Sequence, residues 1–215
     1  MFRDRVEAGK LLADALTFLK TKKDDVVVLA IPRGGVLVAK EVADSLGAPL
    51  DLVITRKIGA PGNPELAIGA VTQDGEVIAD PELVDRLTVS DEYVKDESAK
   101  QVDEIRARMK RYRGDRAYPN LAGKTVVLVD DGVATGSTIR AAIKSVKRRN
   151  AAAVIVAVPV GPQETIEELS KIADRVVCLD TPKFFNAVGQ FYREFDQVDD
   201  ETVRETLRSV RTADR

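Results

Sequence analysis

The chain has 215 residues, 44% hydrophobic and 32% charged, a size and balance that suit one globular domain with a sizeable core. Its 33 basic residues against 35 acidic ones leave a net charge of −2, which argues against general affinity for nucleic acid or anionic membranes. With no histidine and Cys178 as the single cysteine, the composition excludes Ser-His-Asp and Cys-His nucleophile machinery, a disulfide framework, and zinc sites built on imidazole or thiolate.

The opening MFRDRVEAGK lacks a secretory-signal pattern and no apolar run of about 18 residues is present, so a cytoplasmic protein with no membrane partner is expected. A first helix is predicted over 3–20, then a strand VVVLAI (26–31), a helix over 35–46 and a strand LDLVIT (50–55). RKIGAPGNPE (56–65), dense in glycine and proline, predicts a loop and a candidate mobile lid, although Pro61 and Pro64 would equally suit an ordered surface loop. In AIGAVTQDGEVIA, Asp74-Gly75 between two apolar runs predicts a hairpin, and a long charged helix is predicted over 91–113. The strand TVVLVD, a helix over 137–149, the strand AVIVAVPV, a helix after Pro162, the strand RVVCLD and a last helix capped at Asp199 or Asp200 complete the alternation. Strands alternating with amphipathic helices predict an α/β fold with a Rossmann-like core: a mostly parallel twisted sheet flanked by helices. No internal repeat divides the chain, and 1–215 reads as a single domain.

Chemistry concentrates where the valine-rich strand ends, at VVLVDDGVATGST. An α/β sheet presents ligands at the carboxyl ends of its strands beside helix N-termini. There Gly132 and Gly136 let the backbone turn and approach a ligand, and the amides of Val133, Ala134, Thr135, Gly136, Ser137 and Thr138 predict an anion nest. The hydroxyls of Thr135, Ser137 and Thr138 add donors, and no lysine follows Gly136, so a phosphate monoester suits the loop better than a nucleoside triphosphate. Ionised Asp130 and Asp131 accept hydrogen bonds only, which suits a vicinal sugar diol or a cation; a merely solvated strand end is the plain alternative. Together these groups suit a ribose 5-phosphate. Upstream, the first strand ends in PRGGV, where Arg33 with the Gly34 and Gly35 backbone is a second candidate phosphate cradle, or else a simple strand-to-helix turn.

VVLVDDGVATGST resembles the phosphoribosyl pyrophosphate (PRPP) motif of the type I phosphoribosyltransferases, over thirteen contiguous residues. The resemblance implies that Asp130 and Asp131 bind the ribose hydroxyls and Mg²⁺, that 133–138 bind the 5-phosphate, and that PRGG is the pyrophosphate loop. It implies Mg-dependent displacement of pyrophosphate from PRPP by a nitrogen acceptor, with Arg33, Arg56 and Lys57 as cations and 58–65 as a water-excluding lid within a loop or hairpin over 56–80. Ala134 stands where the 6-oxopurine members carry an aspartate, which is nearer the adenine and orotate type. Over 181–198 a candidate hood carries Phe184, Phe185 and Tyr192, which could stack on a base or pack the last helix onto the body. Family habit implies a homodimer. A different function, a PRPP- or nucleotide-sensing regulator, would contact nucleic acid through Arg106, Arg108, Lys110, Arg111, Arg113 and Arg116, unless Asp103, Glu104 and Asp115 simply partner that helix face.

Overall fold

The structure, a computed structural model, describes residues 1–72 and 75–210. In chain order its elements are α1 (Arg5–Ala15), a 3₁₀ segment (Thr17–Asp25), β1 (Val26–Ala30), α2 (Gly35–Leu46), β2 (Leu50–Leu52), β3 (Thr55–Ala60), β4 (Asn63–Thr72) and β5 (Val77–Ala79). Then come α3 (Pro81–Arg86), α4 (Asp91–Arg113), β6 (Thr125–Val129), α5 (Ser137–Arg148), β7 (Ala153–Val160), α6 (Gln163–Ser170), β8 (Arg175–Asp180), a second 3₁₀ segment (Val188–Phe191) and α7 (Asp200–Ser209).

Five parallel strands make the main sheet in the order β2-β1-β6-β7-β8, and β3, β4 and β5 make a separate antiparallel hood sheet. Both faces of the central strands β1, β6 and β7 are covered, which is why these strands read as near-continuous apolar runs instead of alternating. Val28, Ala30, Val127, Val129, Ile155 and Ala157 pack with α1, α2 and α7 on one face. Their neighbours Val27, Leu29, Val126, Leu128, Val154 and Val156 pack with Ile139, Ile143 and Leu169 of α5 and α6 on the other. The order reverses direction between β1 and β6, so the chain leaves these two adjacent strands toward opposite sides and opens a crevice at their carboxyl ends. Both motifs singled out in the sequence follow these two strands.

Several boundaries differ from the sequence prediction. The first helix, started by the Asp4 carboxylate accepting from the Glu7 amide, stops at Ala15 because buried Leu16 and Leu19 turn inward through the tighter 3₁₀ segment. The apolar run 50–55 splits between two sheets: β2 ends at Leu52, buried Val53 and Ile54 cross over, and Thr55 opens β3. The segment 56–65 is not a loop but most of a β-hairpin, with Gly62 at φ 74° in the connection. Ile58 and Ala60 are buried against the body, and a register shift around Gly59 absorbs that glycine. The second hairpin forms as expected, with Gly75 at φ 81°; Asp74 lies outside the described residues. The short helix α3 was not predicted, and 181–198 forms no sheet, only the Val188–Phe191 turn. Among the described residues no helix is long and apolar enough to cross a membrane.

Candidate active site

The turn after β1 and the turn after β6 are in direct contact. A methyl group added to Gly34 would lie 1.9 Å from Asp131 Oδ2, and one on Gly35 would lie 2.8 Å from Asp130 Cα. These glycines are therefore required by the approach of the acidic turn, before any ligand is considered. The peptide joining Pro32 to Arg33 is cis. Arg33 itself is exposed and leans 3.8 Å from Asp200 at the start of α7. Asp200 also accepts from Arg111 at 2.7 Å and from the Tyr112 hydroxyl at 2.6 Å, contacts that hold its carboxyl below the usual range.

Each aspartate commits one carboxylate oxygen within the protein. Asp130 Oδ1 accepts the Asp131 amide at 2.8 Å, and Asp131 Oδ2 accepts Nε of Arg5 at 2.7 Å. Desolvation, and next the charge of Asp131, push the Asp130 carboxyl well above its ordinary pKa. The carbonyl of Asp131 accepts the Tyr192 hydroxyl at 2.6 Å. Burial pushes that phenol well above its ordinary value, so it stays a donor.

Behind the acids, Gly132 fits under Val188, whose Cγ1 would be 2.5 Å from an added methyl. Val133 is buried and its amide donates to the Val160 carbonyl at 2.9 Å, so the expected anion nest loses this member and starts at Ala134. Gly136 adopts φ 75° as the N-cap of α5 and supplies no side-chain cap, leaving the first amides of a 12-residue helix open to an anion. Ala134, Thr135, Ser137 and Thr138 are exposed, and the Thr135 and Ser137 hydroxyls lie 3.1 Å apart. The loop is braced from behind: Thr165 donates to the Ala134 carbonyl at 2.8 Å, and Arg140, paired with Glu168, donates to the Thr135 carbonyl at 2.9 Å. A cavity of about 400 Å³ adjoins Ser137, between the hood strands β4 and β5 and the Arg140 and Lys144 side of α5.

The expected cations divide. Successive residues of β3 point to opposite faces, so Arg56 and Lys57 cannot both address one ligand. Arg56 shares its face with buried Ile58 and donates to Gln101 on α4, away from the role expected of it, whereas Lys57 is exposed. The expected stacking ring Tyr192 is likewise reassigned: it is buried, with Phe2 and Phe195 at 5.4 and 5.0 Å, and supports the acidic turn. Phe185 stacks on Phe191 at 5.3 Å, while Phe184 is 85% exposed. Arg5, which no local motif marks, is the group the sequence did not reveal. Burial pushes the Cys178 thiol up to about 11, which disfavours the nucleophilic thiolate.

No cluster of three or more acidic, histidine or cysteine side chains forms a metal cage among the described residues. The adjacent Asp130 and Asp131 carboxyls do fit Mg²⁺, which keeps several waters and is shared between one or two carboxylates and substrate phosphates.

A doubly wound sheet with two close-approach loops and an acid pair at its switch point is the type I phosphoribosyltransferase fold. Residues 5–196 match the phosphoribosyl transferase domain, and the chain belongs to that family. It is 47% identical to TT1426 from Thermus thermophilus, whose crystal structure superposes with a TM-score of 0.82 over 96% of this chain and 97% of that one. Two Mycobacterium tuberculosis proteins, of strains CDC 1551 and H37Rv, whose names assign them provisionally to the phosphoribosyl transferases, are each 46% identical over 204 residues. The match covers 94% of this chain but 45% of those relatives, so the chain spans less than half their length.

Proposed function

We propose that this chain transfers the 5-phosphoribosyl group of PRPP to a nitrogen acceptor in a Mg²⁺-dependent reaction. The observation that carries the proposal is the contact of Gly34 and Gly35 with Asp130 and Asp131, which sets two anion cradles on either side of an acid pair. The adjacent carboxyls of Asp130 and Asp131 are acceptors suited to the two vicinal hydroxyls of a ribose. A 5-phosphate then falls to the amides of 134–138 and the α5 N-terminus, and the pyrophosphate to Arg33 and the turn at Gly34 and Gly35.

In the transfer, the acceptor nitrogen forms a bond to C1 as the C1–oxygen bond breaks; pyrophosphate leaves with the electron pair and the acceptor gives up its proton. No protein nucleophile is needed. The chain's own part is to hold the ribose in line, keep its hydroxyls on the two carboxylates, and meet the charge on the departing group with Arg33 and Lys57. Mg²⁺, held by Asp130 and Asp131 with the substrate, would add charge neutralisation. Closure of the β3–β4 hairpin, a nucleobase as acceptor, exposed Phe184 as its stacking partner, and a homodimer complete this proposal.

The test is pyrophosphate release from Mg-PRPP across purine and pyrimidine bases, with Asp131→Asn as the blank. Release stimulated by one base and lost in the variant is the expected result. Absence of stimulated release together with absence of Mg-PRPP binding would overturn the proposal.

A further inference from the structure

Residues 2–5 and 191–196 meet behind the acid pair. Phe2 and Phe191 share a backbone bond of 2.8 Å, Arg193 and Glu194 donate back to the carbonyls of Phe2 and Arg3 at 2.9 Å, and Phe2 packs on Tyr192. From this junction two groups reach the acidic turn: the Tyr192 hydroxyl on the Asp131 carbonyl, and Arg5 on the Asp131 carboxylate. Arg5 is 8% exposed and is engaged on two sides and one face. Nε holds Asp131 Oδ2 at 2.7 Å, Nη1 donates to the Asp196 carbonyl at 2.8 Å, and the guanidinium lies 3.8 Å over the Phe195 ring. The space on the other side is closed by Gly34, where an added methyl would sit 3.0 Å from Arg5 Nε.

From this geometry we infer that Arg5 is a positioning residue for the acid pair: it takes one oxygen of Asp131, fixes the carboxylate's orientation, and ties it to the segment 192–196. The inference rests on the proposed role of Asp131 in ribose binding. A planar guanidinium is suited to this work, since its divergent N–H groups reach a carboxylate and a carbonyl together while its face stacks on a ring; an ammonium is a point donor that cannot do all three. Without Arg5 the Asp131 carboxylate would be free to rotate, and its fixed presentation to a ribose hydroxyl would be lost.

The experiment measures Mg-PRPP affinity by calorimetry, and thermal stability alongside it, for the full chain and for Arg5→Met, Arg5→Lys and Arg5→Ala, the last with and without millimolar ethylguanidinium. Wild-type binding that is lost in Asp131→Asn establishes the ribose site by itself, and absence of wild-type binding overturns that site and not merely the role of Arg5. Given binding, the expected result for folded Arg5→Met is a loss of about tenfold or more, the scale on which partners that orient a ligating group act. Arg5→Lys, which keeps the charge and the fold, should remain weaker than wild type, and ethylguanidinium should restore binding to Arg5→Ala. Wild-type affinity in folded Arg5→Met or in Arg5→Lys would overturn the inference, as would failure of ethylguanidinium to restore binding.

Discussion

At the scale of single residues, the two aspartates are adjacent in sequence and unlike in surroundings. Asp131 is paired with a cation; Asp130 is desolvated beside a like charge, and its pKa is raised. A carboxyl whose folded pKa lies above its unfolded value contributes stability in full below the unfolded pKa, and loses that contribution as pH rises through the folded one. Asp130→Asn, a permanently neutral isostere, should therefore match the wild type in acid and exceed its melting temperature above that window, while binding Mg-PRPP poorly. Paired melting curves across pH check this, and equal melting temperatures at neutral pH would contradict the raised pKa. Truncating Asp131 has the opposite consequence. Asp131→Ala leaves Arg5 buried without its carboxylate, and breaking a buried pair in this way costs about 3–5 kcal/mol, so the cleaner blank for binding is Asp131→Asn. The two acids and the glycine-bearing turn that follows them were legible in the sequence because they are packed into thirteen consecutive residues. Arg5 and the Tyr192 hydroxyl were not, because only the closure of the chain brings positions 5 and 192 to position 131.

At the scale of elements, the repeating strand and helix units of the main sheet could be read from periodicity, since the central strands β1, β6 and β7 are buried on both faces and α5 has a clear apolar stripe. Reading failed where glycine and proline punctuate a hairpin: Gly59 sits at a register shift and Gly62 in the connection, so turn chemistry hid two strands. The same conformational demand at Gly136 makes a testable point. At φ 75°, with Thr165 and Arg140 side-chain atoms each 3.0 Å from an added carbon, a Gly136→Val side chain strains the left-handed backbone at the start of α5. Loss of the 5-phosphate contact is expected, measured as failure of ribose 5-phosphate to raise the variant's melting temperature. A gentler effect is expected of Asp200→Asn on α7. It would release Arg33 from a partly exposed ion pair, and as such pairs contribute about 0–1 kcal/mol, Mg-PRPP affinity should rise by no more than about fivefold. An affinity weaker than wild type would count against a role for Arg33 at the pyrophosphate.

At the scale of the whole molecule, the placement of charge separates transfer from regulation through nucleic acid. The chain's net charge of −2 gives no overall attraction for phosphate backbones, so nucleic-acid affinity would have to come from a local basic surface. The basic run over 106–116 exposes Arg106, Lys110 and Arg111, but part of its charge is taken up within the protein. Arg113 is buried, with Nε and Nη2 on the two oxygens of Asp51 in β2 and Nη2 also on the Ala117 carbonyl, which fastens the end of α4 to the sheet edge. Arg111 is held by Asp200, Arg106 by Asp103, and Arg116 donates to the carbonyls of Arg113 and Leu207. Binding through phosphate contacts weakens steeply with salt, by a power close to the number of phosphates neutralised. For this chain, titration with single-stranded and duplex DNA or RNA should show weak retention even at low salt and a shallow salt slope. The slope should be unchanged in a variant combining Arg108→Ala and Lys110→Ala. A steep slope flattened by that variant would restore the regulator, and Mg-PRPP would then have to act as its signal and not as its substrate.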